Sequence, residues 1–387
     1  MGVFMRKVQA QPRIRKTNSQ VSYRQATQSK SLQTSRGSGW LKKYQINLRF
    51  DLGNLYTRVA IGKNLIYIQP TCFLWETATG EVLAVGKQAF KLLGKEPQGT
   101  QLVFPIQFGA ISDLDHFDRY LSILLTNFRQ EKIWNWYNLL SAEIFLPASS
   151  TPLDKKLLIR AFARQGINNT KINSKASMLV ASLSPLSPPP TSALDTVEVM
   201  ESNDLSSSKA LVIILDIGEQ LTEVVIGSFS RVAFSASLEF GGGLLSGVIL
   251  DYLRKKHYLV IALSQAMNLK KELPNLLELA DSSVSQKTGK SSSPLVAVRG
   301  VSTQTGLVTT LNIQSQAIAQ VILQQLPQLV TKLRQTLSAV PSSQLLSALE
   351  NGLIITGGGS QLAGLDQYLA KELQINVFKT NQPFACL

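Results

Sequence analysis

Three short stretches carry residue types at spacings suited to holding a phosphate: FDLGNLYT (50–57), LDIGEQLT (215–222) and ITGGGSQL (355–362). Each sets a tight turn after an apolar run that reads as a strand. In the first two, Asp51 or Asp216 stands at the strand end and Gly53 or Gly218 opens the turn. A carboxylate so placed can face a magnesium ion, mostly through waters, because that ion dehydrates reluctantly. Glycine lets backbone N–H groups come close to anionic oxygens, and a helix start adds a favourable dipole. Asp51 and Asp216 are therefore candidate metal-facing residues. Gly53, Asn54, Gly218, Glu219, Gln220, Gly357, Gly358, Gly359 and Ser360 are the candidate turn residues. The second turn is unusual, because Glu219 and Gln220 follow its glycine directly. A carboxylate about 4 Å from another negative charge is repelled by roughly 4 kcal/mol at an effective dielectric near 20. Three readings of that turn stand: a phosphate site, a former one, and an ordinary hairpin.

The elements that must position these turns follow from the hydrophobic pattern. INLRFDLGN, YTRVAIG and LIYIQP (within 46–70) read as a β-meander broken by Gly-Asn and Gly-Lys-Asn turns. A helix is expected over 86–94. Another starts near Asp113, with Leu114, Phe117, Leu121, Leu124, Leu125 and Phe128 at helical spacing. AEIFLP (142–147) reads as a strand, and LDKKLLIRAFARQG (153–166) as an amphipathic helix ending at glycine. Strand, Asp-x-Gly, turn and strand occur at 48–62 and again at 211–227, which suggests a duplicated α/β lobe with a cleft between the copies. Helices are expected over 244–257 and 264–273, then a polar loop at 281–294 and one long helix over about 315–338. GLIITGGGSQLAGL (352–365) reads as a buried strand, three glycines and a helix start.

With 387 residues, 44% of them hydrophobic, the chain has material for two cored domains. Its two cysteines, Cys72 and Cys386, give neither a disulfide framework nor metal-ligand spacing, which fits a reducing compartment. No apolar run approaches the roughly 20 residues needed to span a bilayer, and the N-terminus makes a poor secretory signal. A cytoplasmic protein is expected. The net charge of +14 is uneven: residues 1–50 hold eleven Lys or Arg and no Asp or Glu, leaving 28 basic against 25 acidic residues elsewhere. That Ser-, Gln- and Thr-rich tail reads as disordered. It is either merely solvated or drawn to anionic lipid or nucleic acid, at about 1 kcal/mol per basic residue near a lipid surface. Its basic residues are not interleaved with aromatics, so no specific nucleic acid is expected. Residues 183–208, rich in Pro and Ser, read as a disordered insertion.

The order of the three turns resembles that of the actin-like ATPase superfamily, and most closely the MreB family of bacterial rod-shape-determining filament proteins. VLAVGKQAFKLLGK (82–95), PIQFGAISDLD (105–115), LRKKHYL (253–259), RG…TGL (299–307) and GLIITGGGSQLAGLDQYLAKELQINVF (352–378) carry the likeness, which runs from about Tyr44 to the C-terminus. It implies an α/β actin-like fold: two lobes, each a mixed β-sheet flanked by helices, around a cleft for ATP and Mg2+. The implied division is a basic tail at 1–44, lobe I at 45–182, the insertion at 183–208, lobe II at 209–349, and an adenosine-side turn returning to lobe I at 350–387. On the same ground Asp51, Gly53, Asp216 and Gly218 match the two phosphate turns. Gly241 and Gly242 match a glycine pair at the lobe II phosphate wall, Lys270 a lysine beside the nucleoside, and Gly357, Gly358 and Gly359 the adenosine-contacting turn. Asp154 and Thr222 are the implied catalytic residues, Asp154 standing for a glutamate that helps place the attacking water.

The departures bear on turnover. Asn54 and Tyr56 replace a threonine and an asparagine in the first turn. In the second, Glu219, Gln220 and Leu221 replace two glycines and a threonine, while Thr222 and Glu223 remain. Gly243 replaces an acidic residue, Met267 the ribose-facing glutamate, and Asn173, Ser174 and Lys175 a Glu-Glu-Pro segment lining the cleft. Asp154 is one methylene shorter than the usual glutamate. The family pattern also continues into a last helix beyond the position of Leu387. Nucleotide binding is expected, with poor hydrolysis.

EKIWNWYNLLSAE (131–143) crowds Ile133, Trp134, Trp136 and Tyr137 into a short loop. Such residues either pack onto the lobe or anchor at lipid headgroup level, and the resemblance implies the latter. The expectation is an ATP-binding cytoskeletal protein assembling into filaments at the inner face of the cytoplasmic membrane, with the cell-wall synthesis machinery as partner. The alternative is an actin-fold pseudo-ATPase acting as a scaffold. A sugar or acid kinase is disfavoured, because no candidate base with a substrate pocket is evident.

Overall fold

The computed structural model describes residues 45–131, 133–134, 139–182, 211–228, 231–273, 275–276 and 294–380. The expected tail at 1–44, the insertion at 183–208 and nearly all of the 281–294 loop lie outside them. The first half of the described chain runs β1 (Gln45–Leu52), β2 (Tyr56–Ile61), β3 (Asn64–Pro70), β4 (Phe73–Glu76), β5 (Val82–Val85), α1 (Lys87–Phe90), β6 (Thr100–Val103), β7 (Ile106–Gln107), β8 (Ala110–Ile111), α2 (Leu114–Gln130), β9 (Leu139–Leu146), α3 (Pro152–Arg164), β10 (Asn169–Ser174) and α4 (Lys175–Ala181). Five of these strands form one mixed sheet in the order β10-β9-β1-β2-β3. The meander gives its antiparallel side, and β9 and β10 join in parallel.

The second half runs β11 (Val212–Ile217), β12 (Thr222–Ser228), β13 (Arg231–Leu238), α5 (Gly242–His257), β14 (Leu259–Val260), α6 (Leu263–Lys271), β15 (Leu295–Ser302), β16 (Val308–Gln314), α7 (Ser315–Leu323), α8 (Leu326–Ser338), α9 (Ser342–Glu350), β17 (Leu353–Thr356), α10 (Leu365–Leu373) and β18 (Val377–Lys379). Its main sheet is β13-β12-β11-β17-β18. Here too the central strand has an antiparallel hairpin partner on one side and parallel strands on the other. The expected duplication is therefore real: β1 and β11 hold the same place in two sheets of the same order and sense.

Amphipathic helices close each sheet. Phe117, Tyr120, Leu121, Leu124 and Phe128 of α2 are buried against the first sheet, and Phe162 of α3 meets Phe50 of β1 edge-to-face at 4.9 Å. In the second sheet, Ile213, Leu215 and Val224 share a core with Ile249, Leu253, Ile318 and Leu333. The other face of β11 and β12 is covered by α4, whose Ala176, Leu179 and Val180 pack on Val212, Ile214, Val225 and Ile354. Burial on both faces explains why VIIL in β11 is a continuous apolar run rather than an alternating one. The helix that starts directly from the first sheet's edge strand β10 thus belongs to the core of the second.

Four expectations need correction. The helix read over 315–338 is two, α7 and α8, because Pro327 falls in the first turn of α8 and cannot continue a helix from α7. The helix read over 86–94 keeps only Lys87–Phe90 as α-helix. The C-terminal segment at 350–387, expected to return to lobe I, adds β17 and β18 to the second sheet over its described part, pairing in parallel beside β11, and 381–387 lie outside the described residues. The fourth concerns the aromatic segment. Ile133 N–H donates to Phe128 O at 3.1 Å, folding the chain back under the last turn of α2. Trp134 is thereby buried, its ring edge-to-face with Phe128 at 5.7 Å, and Ile133 packs on the same core. These two side chains face the protein interior rather than a membrane. Trp136 and Tyr137 lie outside the described residues.

Candidate functional site

The two hairpins repeat one geometry. Asp51 is the next-to-last residue of β1, opposite Arg58, and Asp216 the next-to-last of β11, opposite Glu223. Gly53 N–H donates to Tyr56 O at 3.1 Å, and Gly218 N–H to Leu221 O at 2.9 Å. A Cβ at either glycine would sit 2.8 Å from the same carbonyl oxygen, closer than any side chain tolerates, so each turn requires glycine. Both aspartates lie at the C-terminal ends of central strands, where open α/β sheets bind ligands.

Both carboxylates already have cationic partners. Arg58 Nη1 lies 2.7 Å from Asp51 Oδ2, and Lys175 Nζ lies 2.7 Å from Asp216 Oδ2. Lys175, the first residue of α4, also acts electrostatically on Asp51 and Glu223. Burial alone would raise the Asp51 pKa, but Lys175 and Arg58 outweigh it and hold the carboxyl below its ordinary value. Burial would likewise lower the Lys175 pKa, but Asp216 and Asp51 raise it above the ordinary lysine value. The glycine turn after β17 joins the same place: a Cβ at Gly357 would lie 2.3 Å from Asp216 Oδ1, and one at Gly359 2.3 Å from Ile217 Cγ2. Gly358 begins a short 3-10 turn, and Ser360, buried, donates its hydroxyl to Gly357 O at 2.8 Å.

The turn after Gly218 folds onto the start of α5. Gly242 N–H donates to Gly218 O at 2.9 Å, and Gly243 N–H to Glu219 O at 2.7 Å. A Cβ at Gly241 would lie 2.4 Å from Glu219 O, and one at Gly242 2.9 Å from Glu219 Oε2. The glycine run lets Glu219 lie on the helix start. Lys270 Nζ donates to Gly242 O. Burial raises the Glu219 pKa, and Lys270 offsets part of that. Gln220 Oε1 accepts from Phe108 N–H at 2.6 Å, and Asn54 Nδ2 donates to Ile106 O at 2.7 Å. A cavity of about 540 Å³ opens beside this turn, mostly apolar, between Leu93, Phe104 and Phe108 on one side and Glu219, Leu244 and Met267 on the other.

Both implied catalytic residues are engaged within the chain itself. Thr222 is fully buried and donates to Phe240 O at 2.8 Å. Asp154 closes a capping box at the start of α3, its Oδ2 accepting from both Thr151 N–H and Thr151 Oγ1 at 2.7 Å.

These contacts do not suit a magnesium-held phosphate chain. The negative charge of Asp51 and Asp216 is matched by Arg58 and Lys175. A dication about 4 Å from that ammonium would be repelled by roughly 8 kcal/mol at an effective dielectric near 20. The first amides of α5 are taken by backbone carbonyls, and Glu219 presents a carboxylate where an anion would approach. Among the described residues no group of three or more His, Cys, Asp or Glu side chains could hold a metal ion. Lys175 is the residue that pattern alone did not interpret: it stood out only as a departure from Glu-Glu-Pro, and its partner is 41 residues away.

Paired sheets of one order, joined at matched Asp-x-Gly hairpins, define an actin-like fold. Solved structures agree: MreB5 of Spiroplasma citri bound to ADP superposes with TM-score 0.73 at 19% identity, covering 88% of this chain and 93% of that one. The MamK double helical filament superposes with TM-score 0.64 at 17% identity over 88% and 96%. The model of the MreB/Mbl protein family matches residues 45–184 and 202–387, and the chain belongs to that family. Among its relatives are the cell shape-determining protein Mbl of Bacillus subtilis, 22% identical over 343 residues (88% of this chain, 93% of Mbl), and the cell shape-determining protein MreB of Escherichia coli, 23% identical over 351 residues (88% and 90%).

Proposed function

We propose that this chain is a cell shape-determining cytoskeletal protein that self-assembles into filaments at the inner face of the cytoplasmic membrane. There it would act as a scaffold for the cell-wall synthesis machinery, with little or no ATP hydrolysis. Self-association is supported by family membership and by the filament-forming neighbour MamK. A head-to-tail contact between copies is heterologous and propagates into a filament rather than closing. The observation that carries the low turnover is the ion pair between Lys175 and Asp216 with its counterpart Arg58–Asp51. A second reading, a filament protein that binds ATP and Mg2+ and turns them over, is favoured by the nucleotide-bound state of the MreB5 structures, one with ADP and one with AMPPNP. Sedimentation and electron microscopy, with phosphate release measured in parallel, separate the two. Filaments in EDTA without nucleotide, and phosphate release at background with ATP and Mg2+, are expected. Assembly only with ATP and Mg2+, with brisk release, would establish the second reading instead.

A further inference from the structure

The residues around Lys175 also tie the two sheets together. Lys175 leaves the first sheet at the end of β10, yet its ammonium pairs with Asp216 of the second sheet at 2.7 Å and acts on Asp51 of the first. Glu223, opposite Asp216 in the hairpin, reaches the other way: its Oε2 accepts from Ala148 N–H at 3.0 Å, and its Oε1 accepts from Ser237 Oγ. Ser237 Oγ in turn accepts from Ser149 N–H at 3.0 Å. Gln220 adds a third link through Phe108 N–H. Three backbone amides after β7 and β9 of the first half therefore end on side chains of β12, β13 and the turn between β11 and β12. The Ala148 bond, to a carboxylate, belongs to a class about twice as strong as neutral bonds; those of Ser149 and Phe108, to a hydroxyl and an amide oxygen, are neutral.

We infer that Lys175 is a built-in cation of an inter-lobe clasp, which with Gln220, Glu223 and Ser237 holds the two lobes in one relation without metal or nucleotide. This rests on the cleft not being a magnesium–nucleotide site, and it goes further by stating how lobe closure is set. Any control of assembly then acts from outside the cleft.

Hydrogen exchange on the full chain tests this at the amides of Phe108, Ala148 and Ser149. In the wild type their protection is expected to agree within about twofold between EDTA and Mg2+ with AMPPNP. In Lys175→Met they are expected to exchange at least tenfold faster in EDTA, which corresponds to about 1.4 kcal/mol. Lys175→Arg, which keeps the charge, is expected to retain most of the protection and so separates loss of the cation from general unfolding. Wild-type amides that gain tenfold protection only with Mg2+ and AMPPNP would overturn the clasp, as would unchanged exchange in Lys175→Met or equal loss in both variants. Filament sedimentation of the same samples reports separately on the proposed function. Protected amides without filaments would sink the scaffold and keep the clasp; filaments with ligand-dependent protection would do the reverse.

Discussion

Glu219 is half-buried and Asp51 buried, and the two carboxyls depend on pH in opposite senses. Glu219 has its pKa raised by burial, so its contribution to stability is fully present below the unfolded value, near 4.5, and is lost as pH rises through the folded value. Glu219→Gln removes that loss. The melting temperature of the variant minus that of the wild type is expected to increase from pH 4 to pH 7; a difference that is flat or falls would contradict the raised pKa. Asp51, held low by Lys175 and Arg58, contributes stability above the unfolded value of 3.8 that is lost as pH falls through its folded value. The misfit of Glu219 was legible in the sequence, because a carboxylate replacing a turn glycine is wrong for an anion site in any fold. Its resolution was not. Lys270 lies 51 residues on, and Lys175 lies 41 residues before Asp216 on the helix that crosses to the second sheet. No spacing rule reaches that far.

At the scale of elements, periodicity carried most of the fold. The apolar faces of α2 and α3 and the buried run of β11 were readable because helix and strand periods leave a local mark. The destination of a side chain just past a helix end leaves none, which is why Trp134 was read as an anchor. Buried under α2 beside Phe128, it belongs to the core of the first sheet. Trp134→Ala is expected to destabilise the protein by about 3–5 kcal/mol, the usual cost of removing a large buried aromatic, measured by urea unfolding. A change within about 0.5 kcal/mol would match a surface site instead. Pro327 was visible all along, but the continuous apolar face across 318–337 masked the break it imposes.

For the whole molecule, the asymmetric quantity is charge. With Trp134 buried and Ile133 partly buried against the same core, we propose that the basic N-terminal segment carries the attraction to the membrane; among the described residues no helix is long and apolar enough to cross one. The full chain is expected to co-sediment with phosphatidylglycerol vesicles at about 0.1 M salt and to detach near 1 M, where the Debye length falls from about 10 Å to 3 Å. Deleting residues 1–43, which contribute ten of the 39 basic residues and no acidic ones, should abolish the binding. Binding that survives the deletion would place the membrane contact elsewhere on the chain. The duplicated hairpins differ in the same currency: position 58 and position 223 occupy one place in the repeat, yet one is arginine and the other glutamate. That broken symmetry restricts the evolutionary paths open to the chain. Losing Lys175 or Arg58 alone strands a buried carboxylate, at a typical cost of about 3–5 kcal/mol against a total stability of about 5–15 kcal/mol. Under the proposed function, a descendant acquiring a metal-holding cleft would have to change both basic residues, and Glu219 with them, through intermediates that carry an unpaired buried carboxylate. On the proposed reading the ion pairs act as a ratchet, and a metal-independent cleft is easier to enter than to leave.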